Sequence, residues 1–209
     1  MALTLNGSSN TIGGLANGGL PDGCILDADI NGMAASKLTG ALPAISGASL
    51  TGLVAGITQA DEWRVTANFT TSNANIITTN WERNDNKFSV LGSGMSESSG
   101  IFTFPATGIY KIEFSTHAYT SNQQVRYVSC EILLTDNNFT SQNSGSFASG
   151  SISDDVNAYT DPFCTCLFDV TDVTTHKCKF TVYSEHSIIW EGSSTNNRTY
   201  ATFIRLGDT

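Results

Sequence analysis

The chain has 209 residues, with 10 Lys and Arg against 19 Asp and Glu and a formal net charge of −9 at pH 7. An excess of carboxylates without any basic run argues against a phosphate-contacting surface, so nucleic-acid binding is excluded as a main role. No stretch reaches the roughly 18 apolar residues of a membrane span, and Met1–Asn6 has neither region of a secretory signal, so synthesis in the cytoplasm without membrane insertion is expected.

Composition changes near residue 60. Residues 1–60 contain no aromatic side chain, four charges (Asp22, Asp27, Asp29 and Lys37) and 11 of the 19 glycines. All 20 aromatic residues follow, beginning at Trp63. Without large side chains the first part cannot build a conventional core. Its recurrent Leu, Ile, Val and Ala are equally unlike a solvated linker. Two parts are therefore expected: an extended Gly-rich arm over 1–60 and a folded head over 61–209. The arm is expected to bury Leu38, Leu42, Ile45, Leu50 and Leu53 against copies of itself or against a larger body.

Within the arm, Asp27–Lys37 reads as one short helix, with Asp27 or Asp29 as N-cap and Gly40 beyond its end. Leu-Thr-Gly occurs at 38–40 and again at 50–52. The string Leu38–Leu53, and the opening Leu5–Leu15, resemble segments that recur in bacteriophage tail-fibre and related virion proteins. That resemblance implies a virion component attached to other virion proteins through its arm.

From Trp63 onward the pattern is all-β. Strands are predicted over 63–70, 74–81, 86–91, 100–104, 108–116, 125–135, 163–170, 176–183, 186–191 and 199–206. The longest loop is predicted over 136–160. Many short strands separated by Ser, Asn, Asp, Thr and Gly indicate a sandwich or barrel. The clearest segment is Gly100–Phe114. Pro105 and Gly108 mark a turn, after which Tyr110, Ile112 and Phe114 alternate with Lys111 and Glu113, as in a half-buried strand.

The positions Phe102, Gly108, Tyr110, Ile112 and Phe114 resemble the signature of the complement component 1q globular head, a relative of the tumour necrosis factor jelly roll. Ile112 stands where that family usually has Phe, and Met95 where it usually has an aromatic or Leu. Phe163–Val170 with Lys177–Val182 resembles the family's penultimate strands, read here as a hairpin. Thr199–Leu206, with Phe203, resembles its final strand. The resemblance implies a ten-stranded jelly-roll sandwich that associates as a homotrimer. Animal relatives carry a collagenous stalk; the glycines of this arm have no period of three.

Chemistry-bearing motifs are sparse. The chain has three histidines (His117, His176, His186) and no nucleophile elbow, zinc-protease pair or phosphate loop, so neither enzyme activity nor a cofactor is expected. Five cysteines at 24, 130, 164, 166 and 178 form no disulfide framework and read first as small buried hydrophobes. Cys164, Cys166, His176 and Cys178 form a weak alternative zinc set, provided that the two pairs face each other across a hairpin. Asp154 and Asp155, with Asp161 nearby, could supply oxygens to calcium, although a solvated acidic loop is the preferred reading.

For contacts with a partner, the adjacent Ile189 and Trp190 cannot both face inward on one strand. An outward Trp190 would be a contact residue, with burial against a neighbouring subunit as the other reading. The loops 136–160 and 192–198, including Asn196, Asn197 and Arg198, have the adaptable polar composition of a binding surface. The expectation is a phage virion protein, a trimeric short fibre or spike whose knob contacts a host-surface glycan or protein. A capsid decoration protein that stabilises the head is the alternative, and a free carbohydrate-binding lectin comes after it.

Overall fold

The computed structural model describes residues 4–6, 11–13 and 56–209, apart from Lys87. The chain divides into two units, Met1–Leu53 and Val54–Thr209. In the first, β1 (Thr4–Asn6) pairs antiparallel with β2 (Thr11–Gly13). The expected helix over 27–37 and the arm residues Leu38, Leu42, Ile45, Leu50 and Leu53 lie outside the described residues.

The second unit is an all-β jelly-roll sandwich. Its first sheet has the order β15 (Phe163–Val170), β10 (Gly108–Ser115), β18 (Tyr200–Gly207), β3 (Ala60–Val65) and β6 (Trp81–Arg83), with β7 (Val90–Leu91) also on β3. The second has β13 (Asn143–Ile152), β12 (Val125–Thr135), β16 (Lys177–Ser184), β9 (Ile101–Thr103) and β8 (Ser96–Ser98), with β5 (Asn75–Ile76) on β16. A third, of β14 (Ala158–Thr160), β11 (Ala118–Thr120), β17 (Ile188–Trp190) and β4 (Phe69–Thr71), is made of segments next in sequence to β15, β10, β16 and β3. Every pairing is antiparallel.

Alternation along the strands places the core. On β10, Gly108, Tyr110, Ile112 and Phe114 point inward and Ile109, Lys111, Glu113 and Ser115 outward. Phe102, Phe180 and Phe203 form an aromatic cluster with centroids 5.3–5.9 Å apart, joined by Trp63, Trp81 and Phe114. Edge-to-face and tilted rings of this kind are the favoured arrangements of aromatic quadrupoles. All six residues singled out around the signature, Phe102, Gly108, Tyr110, Ile112, Phe114 and Phe203, lie in the interior. Gly108 has φ +137°, and a Cβ there would sit 2.4 Å from the Gly207 carbonyl oxygen. A glycine is required where β10 starts against β18.

Two local expectations are corrected. Residues 136–160 are not one loop: they hold β13, the edge strand of the second sheet, and β14. The Ser- and Gly-rich segment Asn143–Ile152 has few side chains to bury, yet its backbone pairs with β12 over most of its length. Its small residues serve close approach: a Cβ on Gly145 would meet the Leu134 side chain at 2.6 Å, and one on Gly150 the Thr160 hydroxyl at 2.4 Å. Phe163–Val170 and Lys177–Val182 are not a hairpin either. β15 pairs with β10 and β16 with β12, so the intervening turn carries the chain from one sheet to the other.

Candidate functional site

The segment 191–199, between β17 and β18, brings together polar groups that converge on open surface. Its shape is fixed by two bonds to the end of β3 and the residues just after it, and by two within the loop. Gly192 N–H donates to Asn68 Oδ1 (3.0 Å) and Ser193 N–H to the Val65 carbonyl (2.8 Å). The Ser193 hydroxyl then accepts from the N–H groups of Thr195 (3.2 Å) and Asn196 (3.1 Å). A Cβ on Gly192 would lie 2.4 Å from the Ala67 carbonyl oxygen, so the close approach of the two loops depends on glycine there.

On one side of this loop lies a cleft of about 530 Å³ lined by Arg64, Asn84, Asn86, Thr195, Asn196 and Asn197. Arg64 is 1 % exposed, and its guanidinium donates to Asn84 Oδ1 (3.0 Å), Glu82 (2.5 Å) and Asp85 (2.6 Å). Its Nε has no partner among the described residues. Glu62 accepts from the amides of both Asn84 and Asn197, and Asn86 Nδ2 donates to the Thr195 carbonyl (3.0 Å). The lining is therefore one guanidinium among amides able to donate and accept, with the carboxylates of Glu82 and Asp85 bonded to the guanidinium and that of Glu62 to two of the amides. Such a cleft suits a hydroxyl-rich or cationic ligand better than an anion.

On the other side is the outer face of the third sheet. Glu191 receives Arg198 Nη1 at 3.3 Å and lies 3.4 Å from His117 Nε2, while His117 Nδ1 bonds Asp161. Two residues along, on the same face, Tyr159, Tyr119 and Ile189 lie side by side across β14, β11 and β17. Tyr159 stacks on His117 (centroids 5.1 Å, interplanar angle 16°) and tilts against Tyr119 (5.1 Å, 35°). It nevertheless remains 50 % exposed.

Of the residues expected at a binding site, Asn196, Asn197 and Arg198 lie on this loop, the first two in the cleft and the third against Glu191. Trp190 is corrected. It is fully buried in the core cluster and stacks on Phe69 at 6.3 Å and 12°, so the side chain turned away from the core is that of Ile189. Register decides this: Trp190 faces Ala118 and Phe69 across the third sheet, both packed inward. Arg64, Glu62, Tyr119 and Tyr159 went unnoticed in the sequence. Arg64 follows Asp61 and Glu62 on a strand with three charged residues out of six, so nothing local marks it as buried, and Tyr159 falls in a segment that reads as a loop.

The proposed zinc set is not assembled. Cys164 and Cys166 lie on the first sheet and Cys178 on the second. The Cys164 sulfur instead meets Cys130, and the His176 ring lies between the hydroxyls of Thr171 (3.3 Å) and Thr175 (3.2 Å). Asp161 is engaged by His117, and Asp155 caps the Val156 N–H (2.7 Å). Among the described residues, no group of three or more His, Cys, Asp and Glu side chains is arranged to hold a metal ion.

No protein-family model matches the sequence, and no curated protein matches it. Solved structures do. Murine APRIL, crystallised at pH 5.0, is 13% identical with a TM-score of 0.52, over 71% of this chain and 99% of that one. Eiger TNF from S. frugiperda is 9% identical with a TM-score of 0.52, over 72% of this chain and 93% of that one. At these identities the likeness is one of fold: the head is a jelly roll of the tumour necrosis factor and complement component 1q kind.

Proposed function

We propose that this chain is a bacteriophage virion protein, a homotrimeric short fibre or spike whose arm joins the particle and whose head contacts the host surface. The observation that supports trimeric assembly is a set of exposed apolar side chains on the first sheet. Leu167, Lys111, Ile204, Ala60 and Leu91 are consecutive cross-strand partners on its outer face, apolar except for Lys111, and Leu167 is 64 % exposed. Phe163 and Leu206 are exposed on the same sheet. Clustered apolar surface of this kind marks an association site. The virion role comes from the resemblance of the arm to tail-fibre segments. Host contact is assigned to the segment 191–199 and its two flanks, which a trimer would present three times so that weak contacts add through avidity.

Sedimentation of the full chain tests the assembly, with Leu167→Asp expected to shift it toward monomer. Immunolabelling of particles and competition of infection by purified protein test the role. Label on the tail with dose-dependent competition supports a fibre. Label on the head, with shells that lose stability on deletion, would replace this reading with that of a capsid decoration protein.

A further inference from the structure

We infer that the outer face of the third sheet is a glycan site, in which Tyr159 stacks on an uncharged pyranose ring and the row Asp161, His117 and Glu191 bonds its hydroxyls. The inference rests on the host-contact reading of the head and names a ligand class for it.

Strand register creates two parallel rows. Tyr159 pairs with Tyr119, which pairs with Ile189. The neighbouring row holds Asp161, His117 and Glu191, joined by His117 Nδ1 to Asp161 and by the Glu191 N–H to the His117 carbonyl (2.8 Å). Successive same-face residues on a strand are about 7 Å apart, comparable to the width of one pyranose ring. A pyranose has an apolar face of C–H groups and a rim of hydroxyls. The aromatic row matches the first and the polar row the second.

The site is pre-organised. Tyr159 is held by near-parallel contact with His117 and by Tyr119, so a ring on an edge strand is kept in place while half its surface stays open. Glu191 is oriented by Arg198 at 3.3 Å and by His117 at 3.4 Å. Little side-chain entropy is then lost when a ligand arrives. Tyrosine suits this task, being large, rigid and amphipathic.

Charge selects among ligands that stack on tyrosine. Asp161 and Glu191 flank the aromatic row with Arg198 beside them, in a chain of formal net charge −9. A phosphate, sialic acid or uronic acid would approach carboxylates in an already negative field. Uncharged glycans carry no such penalty.

The test applies the full chain to an array of uncharged oligosaccharides printed beside sialylated and uronic-acid counterparts. The best binder is then titrated by calorimetry and by saturation-transfer NMR. Binding to uncharged glycans is expected, with a dissociation constant of about 1 mM per site. Tyr159→Phe keeps the ring and is expected to keep the affinity. Tyr159→Ala is expected to lose at least about tenfold. If Tyr159→Ala fails to fold, Tyr159→Leu replaces it, keeping an apolar side chain without an aromatic face. Failure to bind any uncharged glycan, preference for the acidic counterparts, or unchanged affinity in the folded Ala or Leu variant would each overturn the inference. Glycan binding without competition of infection would remove the host-contact reading and leave this one. Competition that persists in Tyr159→Ala would do the reverse.

Discussion

The sulfur atoms of Cys130 and Cys164 lie 3.5 Å apart, the first on β12 and the second on β15, so the thiols meet where the two sheets of the sandwich pack. Both are buried. The two thiols share one S–H···S contact, and Cys164 is the one that keeps the proton. That contact, followed by burial, pushes the Cys164 thiol well above its ordinary range. Burial pushes Cys166 up to about 11, and burial followed by the neighbouring Cys166 raises Cys178 strongly.

These thiols make the fold sensitive to alkali. A thiol whose folded pKa lies above its unfolded value contributes stability below the unfolded value and loses it as pH rises through the folded one. Thermal stability should therefore be level to about pH 8 and fall above it, by up to about 1.4 kcal/mol per pH unit for each thiol that ionises only when unfolded. Melting curves between pH 7 and 10.5 check this, and Cys166→Val should flatten the decline. Native protein should also leave Cys130, Cys164 and Cys178 unlabelled by a thiol reagent that modifies them all in denaturant.

Asp61 is a buried hub at the start of the head. Its carboxylate accepts from Trp63 Nε1 (2.9 Å), Arg83 Nε (3.0 Å) and the backbone N–H groups of Glu62 (3.0 Å) and Met95 (2.7 Å). Asp61→Asn would turn an amide N–H₂ toward donors, and Asp61→Ala would leave them unpaired. Either should cost about 2–4 kcal/mol in denaturant unfolding.

Gly108→Ala should destabilise by about 1–3 kcal/mol, because its backbone conformation is left-handed in φ and a Cβ would strike the Gly207 carbonyl. Hydrogen exchange should accelerate first at the shared end of β10 and β18. A variant as stable as the parent would contradict the close approach.

The Glu185 carboxylate accepts from Arg126 Nε (2.6 Å) and from the Arg126 backbone N–H (2.9 Å), and these contacts hold its carboxyl down to about 2. A depressed carboxylate contributes stability above its unfolded pKa and loses it as pH falls through the folded one. Arg126→Ala should therefore melt earlier than the parent at pH 6. The difference should shrink below about pH 4.5 and vanish near pH 2. A constant difference across that range would assign the effect to packing.

The Gly100–Phe114 stretch was legible because its period of two survives in a strand with one face in the core. β13 was not, because an edge strand can be held by backbone bonds and close approach while its side chains stay small and polar. The link between β15 and β16 misled for a related reason. Two strands joined by a short turn read as a hairpin, and nothing local distinguishes that from a crossing between sheets. Asn196, Asn197 and Arg198 were legible as a loop, but Glu62 and Arg64 were not legible as their neighbours, since both belong to β3, distant in sequence.

Sequence alone determined that the aromatic-bearing part of the chain is all-β, and it marked positions that build its core, because alternation and turn chemistry are local. Tertiary structure decided which sheet each strand joins, that Trp190 faces inward, that the cysteines meet as a thiol pair instead of a metal set, and that Tyr159 stands beside His117. Each of these is a pairing between distant segments, set by register and by packing across the sandwich, which no local pattern encodes.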